Sequence, residues 1–149
     1  AKASSFQLEI TESMLLGHDL RTLKLINELQ SAGFSIALDD FGTGYSNLAY
    51  LQRFPIKALK IDRAFIQDIE NDDSLAEMIV SLCGILRLNV IAEGVETPEQ
   101  LAWVKGHKIE QFQGYLASKP LPAESFAQLD HQLDWRRPSN QVPRHAAQT

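Results

Sequence analysis

The sequence predicts an α/β fold, specifically a partial (β/α)8 TIM-like barrel of about five βα units whose front part is missing. Short apolar runs recur along the chain, as expected of parallel strands that helices cover on both faces. A helical stretch separates each run from the next, and strands joined in this way lie parallel with their C-terminal ends on one side. A complete barrel of this kind needs about 250 residues, whereas this chain has 149.

Five apolar runs are predicted to form the strands. They are QLEIT at 7–11, SIAL at 35–38, ALKID at 58–62, NVIA at 89–92 and EQFQ at 110–113. The first of these runs begins within a few residues of the start of the chain. Roughly three front units of a barrel are therefore expected to be absent, which would leave two strand edges open to another chain.

Periodicity and capping residues predict the helices between the runs. The first helix covers about 20–32 with Gly33 at its C-terminal boundary, and a shorter one covers 46–53. Capping-box sequences, SLAE at 74–77 and TPEQ at 97–100, open the next two helices. In the first of these, positions 75, 78, 79, 82, 85 and 86 form the apolar side. A fifth helix follows Pro122, and the polar segment 135–149 is predicted to be a disordered tail after a domain at 1–134.

Composition narrows the classes of partner and compartment. The chain has 14 basic and 19 acidic residues, and this balance argues against nucleic-acid binding, which needs a basic field. No apolar run approaches the roughly 20 residues that cross a bilayer, and no signal peptide opens the chain. We therefore expect a cytoplasmic segment without membrane contact, in which the single cysteine, Cys83, is a buried thiol.

Acidic residues and one lysine fall at the C-terminal ends of the predicted strands. They are Glu9, Asp39, Asp40, Lys60 and Glu93. Charges that converge at one edge of a sheet are costly unless a cation or a reaction holds them. The adjacent pair Asp39 and Asp40, followed by FGTG, suits two divalent ions, although it is equally typical of an Asx-type turn after a strand.

Other members of this set also have two interpretations. Lys60 can orient a water molecule or neutralise phosphate charge, or it can simply form a salt bridge to the acids. Glu93 is a candidate general base that Glu96 could support, whereas Glu96 can also be a carboxylate that favours a helix N-terminus.

Five motifs, taken together and in order, resemble those of the EAL family, bacterial phosphodiesterases that hydrolyse cyclic di-GMP. They are LEITES at 8–13, ALDDFGTGYS at 37–46, LKIDR at 59–63, AEGVET at 92–97, and QGYL at 113–116 with SKPLP at 118–122. The resemblance covers about 7–122. The Glu-Ala-Leu signature itself, an asparagine-bearing strand and a substrate-binding arginine are expected in the missing front part.

The resemblance implies a modified TIM barrel with one antiparallel strand and a two-metal site for Mg2+ or Mn2+, with Ca2+ inhibitory. Glu9 resembles a ligand of the first metal, Asp39 the bridging ligand and Asp40 a ligand of the second. Lys60 resembles the residue that holds the nucleophilic water, and Glu93 the base or a second-metal ligand.

The resemblance also assigns residues that line the site or couple it to a partner. Gln113, Tyr115 and Glu96 resemble substrate-contacting or lining residues, and Glu12 resembles the anchor of a loop that links metal binding to dimerisation. That loop contains Phe41, Gly42, Thr43, Gly44 and Ser46.

The function implied for the parent domain is hydrolysis of cyclic di-GMP to linear pGpG in bacterial second-messenger signalling. A homodimer is implied, with N-terminal sensory or diguanylate-cyclase-like domains in the parent protein. The alternative is a module that binds cyclic di-GMP or dimerises without cleaving the ligand. The chain alone is expected to be inactive or impaired, since two first-metal ligands belong to the missing part.

Overall fold

The computed structural model describes residues 2–15, 20–42, 51–122 and 124–125. Its strands are β1 (Gln7–Thr11), β2 (Ser35–Phe41), β3 (Ala58–Ile61), β4 (Asn89–Ala92) and β5 (Gln111–Phe112). They form one sheet in the order β1-β2-β3-β4-β5, and every neighbouring pair is parallel. The predicted strands and their parallel arrangement are therefore confirmed.

The described helices lie between consecutive strands. After a short 3-10 turn at Ala3–Ser5, they are α1 (Glu12–Leu15), α2 (Leu20–Ser31), α3 (Arg63–Asp68), α4 (Ser74–Leu86) and α5 (Pro98–Gly106). The sequence predicts α2, α4 and α5 but not the short α1 and α3. Most of the predicted helix at 46–53, the helix after Pro122 and the tail from residue 135 lie outside the described residues.

The central strands β2 and β3 supply the fully buried centre of the core. Ile36, Leu38, Leu59 and Ile61 have no exposed surface, and they pack with residues of the helices on the outer face of the sheet. On the other face of the sheet, Ala37, Ala58 and Ile91 form a second, smaller apolar cluster. Both faces of β2 and β3 are thus buried, which explains why these strands read as continuous apolar runs.

The buried side of α4 differs from the predicted one. Ala76, Ile79 and Cys83 are buried, whereas Leu75 and Met78 are more than half exposed. The prediction is wrong for Leu75, Met78 and Ile85, whereas Ile79, Leu82 and Leu86 do pack in or against the core. The sequence offers two overlapping stripes because α4 carries apolar residues around most of its circumference. Ile85 belongs to the exposed side and is 78% exposed.

The two predicted capping boxes have different outcomes. At α5, the Thr97 side chain accepts from the Gln100 backbone N–H, and the Gln100 side chain accepts from the Thr97 backbone N–H. At α4, Ser74 is not the cap, because its backbone N–H donates to Asp72 and it becomes the first helical residue. The box at 97–100 is confirmed, and the one at 74–77 is wrong.

None of the helices within the described ranges has the length and apolar character needed to cross a membrane.

Candidate active site at the C-terminal strand ends

Lys60 lies at the centre of a cluster of carboxylates. Its side chain is 4% exposed, and its Nζ lies 2.7 Å from Oε2 of Glu9, 3.2 Å from Oδ2 of Asp39 and 2.5 Å from Oε1 of Glu93. These partners come from β1, β2 and the end of β4, so one ammonium joins four neighbouring segments of the sheet. The convergence expected from the sequence is present.

The parallel register explains the convergence. Asp39, Lys60 and Glu93 each follow a member of the small apolar cluster by two residues, and side chains two apart along a strand share a face. The ladder places Ala37 beside Ala58 and Lys60 beside Ile91. The charged groups therefore lie on the same face of the sheet as the small apolar cluster, toward the C-terminal ends of the strands.

Burial and charge act against each other on Lys60. Burial lowers the pKa of its ammonium, but hydrogen bonds to Glu9, Glu93 and Asp39 together with the Glu93 charge outweigh it, so the pKa lies above its usual value. Lys60 is consequently a permanent cation and hydrogen-bond donor, and it is not suited to accept a proton.

For the pKa of Glu93, burial and the neighbouring carboxylates outweigh the effect of Lys60. Burial raises the pKa of its carboxyl group, and the charges of Asp39 and Glu9 raise it further. The hydrogen bond and charge of Lys60 act to lower the pKa, but the net direction is upward. Its Oε1 also accepts from Nε2 of Gln113 at 2.7 Å. A positioned carboxylate with a raised pKa has the properties of a general base.

Asp39 and Asp40 are consecutive, but they occupy different environments. Asp39 is partly buried in the cluster, whereas Asp40 is exposed and has a φ of 56°. The β2–β3 register shifts at this point, between Leu38 and Phe41. Asp40 therefore has a left-handed backbone conformation, and Gly42, at φ 92°, also has a positive φ. Asp40 N–H donates to Oδ1 of Asp39 at 3.0 Å, as in a local Asx-type contact.

The remaining predicted residues fall into three groups. Glu12 is buried in α1, and Phe41 is buried at the end of β2. Gln113 and Tyr115 line a cavity of about 490 Å³, which Glu93 and Glu96 also line. Thr43, Gly44 and Ser46 lie outside the described residues.

The oxygen ligands present fit divalent cations, although no three of the described acidic, histidine or cysteine residues are arranged to hold an ion. The carboxylates of Glu9, Asp39 and Glu93 turn toward Lys60 instead. Three carboxylates face a single ammonium, so a formal charge of about −2 remains uncompensated. Carboxylate oxygens are the ligands that Mg2+ and Mn2+ prefer.

Sequence reasoning missed residues that hold the cavity together. Nη2 of Arg63 lies 2.9 Å from Oε1 of Glu96. Gly114 approaches the backbone of Val95 so closely that an added Cβ would stand 2.7 Å from the Val95 carbonyl carbon. The available signal was spacing, since Arg63 follows Lys60 by the same three residues by which Glu96 follows Glu93.

The geometry agrees with the comparison to known families. Residues 1–120 match the EAL domain. The chain belongs to the EAL domain family. Over 123 residues it is 48% identical to the cyclic di-GMP phosphodiesterase NbdA of Pseudomonas aeruginosa, an alignment that covers 80% of this chain and 16% of NbdA.

Solved EAL structures have the same fold. The PaMucR phosphodiesterase in complex with cyclic di-GMP matches with a TM-score of 0.77 at 40% identity, covering 84% of this chain and 52% of that one. BlrP1 of Klebsiella pneumoniae, solved with manganese and cyclic di-GMP, matches with a TM-score of 0.72 at 34% identity, covering 80% and 31%. The chain thus spans about half of the PaMucR structure and 31% of BlrP1, and the prediction of a partial β/α barrel is confirmed.

Proposed function

We propose that the full-length protein containing this chain hydrolyses cyclic di-GMP to linear pGpG. The observation that carries the proposal is the convergence of Glu9, Asp39 and Glu93 on the buried Lys60 at the C-terminal end of a parallel sheet. Active sites of β/α barrels lie at this end. The named activities of NbdA and PaMucR, both phosphodiesterases, support the same reaction.

The proposed cofactors are two divalent ions, Mg2+ or Mn2+. Glu9 would hold the first ion, Asp39 both ions, and Asp40 and Glu93 the second. Such ions supply charge neutralisation at the phosphate and activation of water when bound. The manganese complex of BlrP1 with cyclic di-GMP is consistent with this cofactor class.

Each residue then has a task that its surroundings support. Lys60 remains protonated and holds the attacking water or the phosphate oxygen by donation, whereas Glu93 accepts the proton of the water. Gln113 fixes the Glu93 carboxylate through its 2.7 Å hydrogen bond. Tyr115 and Glu96 line the cavity beside Glu93 and complete the wall that faces the substrate.

A product assay tests the proposal. The full-length protein is incubated with cyclic di-GMP and Mn2+ and the products are separated by chromatography, with the Asp39→Asn variant as the inactive control. Formation of pGpG by the wild type alone is expected, and Ca2+ in place of Mn2+ should suppress it because Ca2+ has longer bonds and looser geometry. Binding of cyclic di-GMP without any pGpG would favour the alternative, a binding module.

We also propose that the protein forms a homodimer, with Glu12 and the loop from Phe41 to Ser46 coupling the interface to the metals. The homodimer is supported by the exposed apolar side of α4, where Met78 is 57% and Ile85 is 78% exposed. Monomers rarely leave such a row of apolar side chains in water. Light scattering should give a dimer mass for the wild type and a monomer mass for Ile85→Glu. An unchanged mass would exclude this side of α4 as the interface.

Two further parts of the proposal concern the longer protein. The chain spans 16% of NbdA, so sensory or cyclase-like domains on the N-terminal side are proposed for the parent. We place the segment in the cytoplasm, where a bacterial nucleotide messenger would be encountered.

A further inference from the structure

Two ion pairs join β3 and the first residue of α3 to the connection that follows β4, and they are three residues apart along each stretch of chain. Lys60 pairs with Glu93, and three residues later Arg63 pairs with Glu96, with 2.9 Å between Nη2 and Oε1. β3 and β4 run parallel with an unbroken register over their paired residues. Both ion pairs therefore link the same two stretches of chain, one at the strand ends and the other three residues further along each stretch.

The aliphatic part of the Arg63 side chain packs directly against Gly94, the residue after Glu93. A Cβ built on Gly94 would lie 2.8 Å from the Cβ of Arg63 and closer still to its Cγ, nearer than carbon atoms approach without a bond. Gly94 also has a φ of 68°, which glycine adopts without steric cost. The missing side chain lets Arg63 cover the backbone immediately beside the Glu93 carboxylate.

The guanidinium of Arg63 is held by a side chain of its own helix, α3. The Gln67 amide, with its oxygen turned toward the guanidinium, accepts from Nε at 2.7 Å and from Nη2 at 2.9 Å. On the far side of the connection, the Glu96 backbone N–H donates to Oε1 of Gln100 at 2.7 Å. The backbone of residues 93–96 is therefore held from α3 through Arg63 and from α5 through Gln100.

We propose that Arg63 is a positioning residue that fixes the backbone of residues 93–96 and so sets where the Glu93 carboxylate stands relative to Lys60. This inference rests on the proposed phosphodiesterase function. The side chains of Arg63 and Glu96 are 54% and 30% exposed, and an ion pair so exposed adds little to folding stability. Its effect is therefore expected in catalytic geometry, where a misplacement of about 1 Å can cost roughly 100-fold in rate.

Steady-state kinetics of the full-length protein test the pair. Arg63→Gln should lower kcat about 10-fold to 100-fold, with KM and the thermal midpoint nearly unchanged, and Glu96→Gln should lower kcat to a similar extent. The exchanged pair, Arg63→Glu with Glu96→Arg, should recover much of the lost kcat because the bridge is restored. The matched control is Lys24→Gln, which removes an exposed ion pair on α2 and should leave kcat unchanged.

A spectroscopic readout makes the test independent of catalysis. The Gln113 side-chain amide donates to Glu93, so its NMR signal in protein labelled with 15N-glutamine reports the position of that carboxylate. Arg63→Gln should shift this signal, and the exchanged pair should return it toward the wild-type position. Gln113→Ala identifies the signal by deleting it.

The outcomes separate this inference from the proposed function. If the wild type makes no pGpG but the Gln113 signal responds as described, the proposed function fails and the positioning role stands. A higher KM with unchanged kcat would show instead that Arg63 contacts the substrate directly. An unmoved Gln113 signal, or a kcat that the exchanged pair does not restore, would also overturn the inference.

Discussion

The ammonium of Lys60 on β3 lies 2.7 Å from a carboxylate oxygen of Glu9 on β1, across the strand that separates them. The contact is possible because both side chains leave their strands on the same face of the sheet, which also carries the small apolar cluster. Together with its contacts to Asp39 and Glu93, this contact makes Lys60 the counter-ion of three carboxylates rather than the partner of a single acid.

Replacing Lys60 by methionine should therefore destabilise the fold. Removing one partner of a buried ion pair leaves uncompensated charge, and we expect a loss of about 3 kcal/mol in the free energy of unfolding, the low end of the usual range because Glu9 remains half exposed. Urea unfolding followed by tryptophan fluorescence measures this loss. Lys57→Met, which removes an exposed lysine immediately before β3, should change stability little.

The pH dependence of that loss has a definite sign. Lys60 acts to lower the pKa of Glu93, so its removal raises that pKa further and the folded variant binds protons more readily. The stability gap between the wild type and Lys60→Met should narrow as the pH falls from 7 toward the range in which carboxylates titrate. A gap that stays constant or widens on acidification would contradict the description of Lys60 as a counter-ion.

Asp39→Asn should cost more activity than Glu12→Gln. Asp39 is proposed to contact both ions, and losing such a ligand should cost about 3 kcal/mol of transition-state stabilisation, roughly 100-fold in rate. Glu12 is buried in α1 and has no proposed contact with the reacting atoms. Comparable rates for the two variants, with matched thermal midpoints, would show that the bridging role of Asp39 is wrong.

The cluster of charged side chains around Lys60 could be predicted because it depends on regular features of strands and βα units. Strand side chains alternate with a period of two, and parallel βα units place every strand end on one side. Glu9, Asp39, Lys60 and Glu93 needed nothing more than these rules to be brought together, and the family motifs then assigned their expected roles.

The parts that could not be predicted depend on packing between distant segments. The sequence offers two overlapping apolar stripes on α4, and only contact with the rest of the core selects the one that contains Ala76 and Cys83. The left-handed conformation of Asp40 follows from a register shift that no local pattern marks. The contact of Arg63 with Gly94 could not be predicted either. Gly94 leaves room for the Arg63 side chain because it has no side chain of its own, and no sequence pattern shows which residue fills that room.

Two glycine substitutions should have opposite effects on stability. A Cβ on Gly114 would press into the Val95 backbone, which cannot turn aside as a side chain can, so Gly114→Ala should cost about 2 kcal/mol or more. Gly84 lies inside α4 with nothing within 4 Å of its added Cβ. Gly84→Ala should therefore stabilise by about 0.5–1 kcal/mol through helix propensity. Unfolding midpoints that move in the same direction for both variants would contradict the described packing.

The buried thiol gives a labelling test of the core. Cys83 is the single cysteine of the chain, and burial raises its pKa from 9.0 to about 11. At pH 8 only about a thousandth of such a thiol is ionised, and the thiolate is the reactive form. Labelling by a maleimide should be slow in the native protein and fast in urea. If other domains contribute cysteines, the Cys83→Ser variant identifies the signal.

The same raised pKa fixes the sign of an alkaline effect. A folded-state pKa above the unfolded value means that the thiol contributes stability that is present below about pH 9 and is lost as the pH rises toward 11. Between those values the wild type should lose stability relative to Cys83→Ala, and maleimide labelling should accelerate together with that loss. Equal labelling rates in native and denatured protein at pH 8 would place Cys83 at the surface and contradict the packing of α4 against the sheet through Ala76, Ile79 and Cys83.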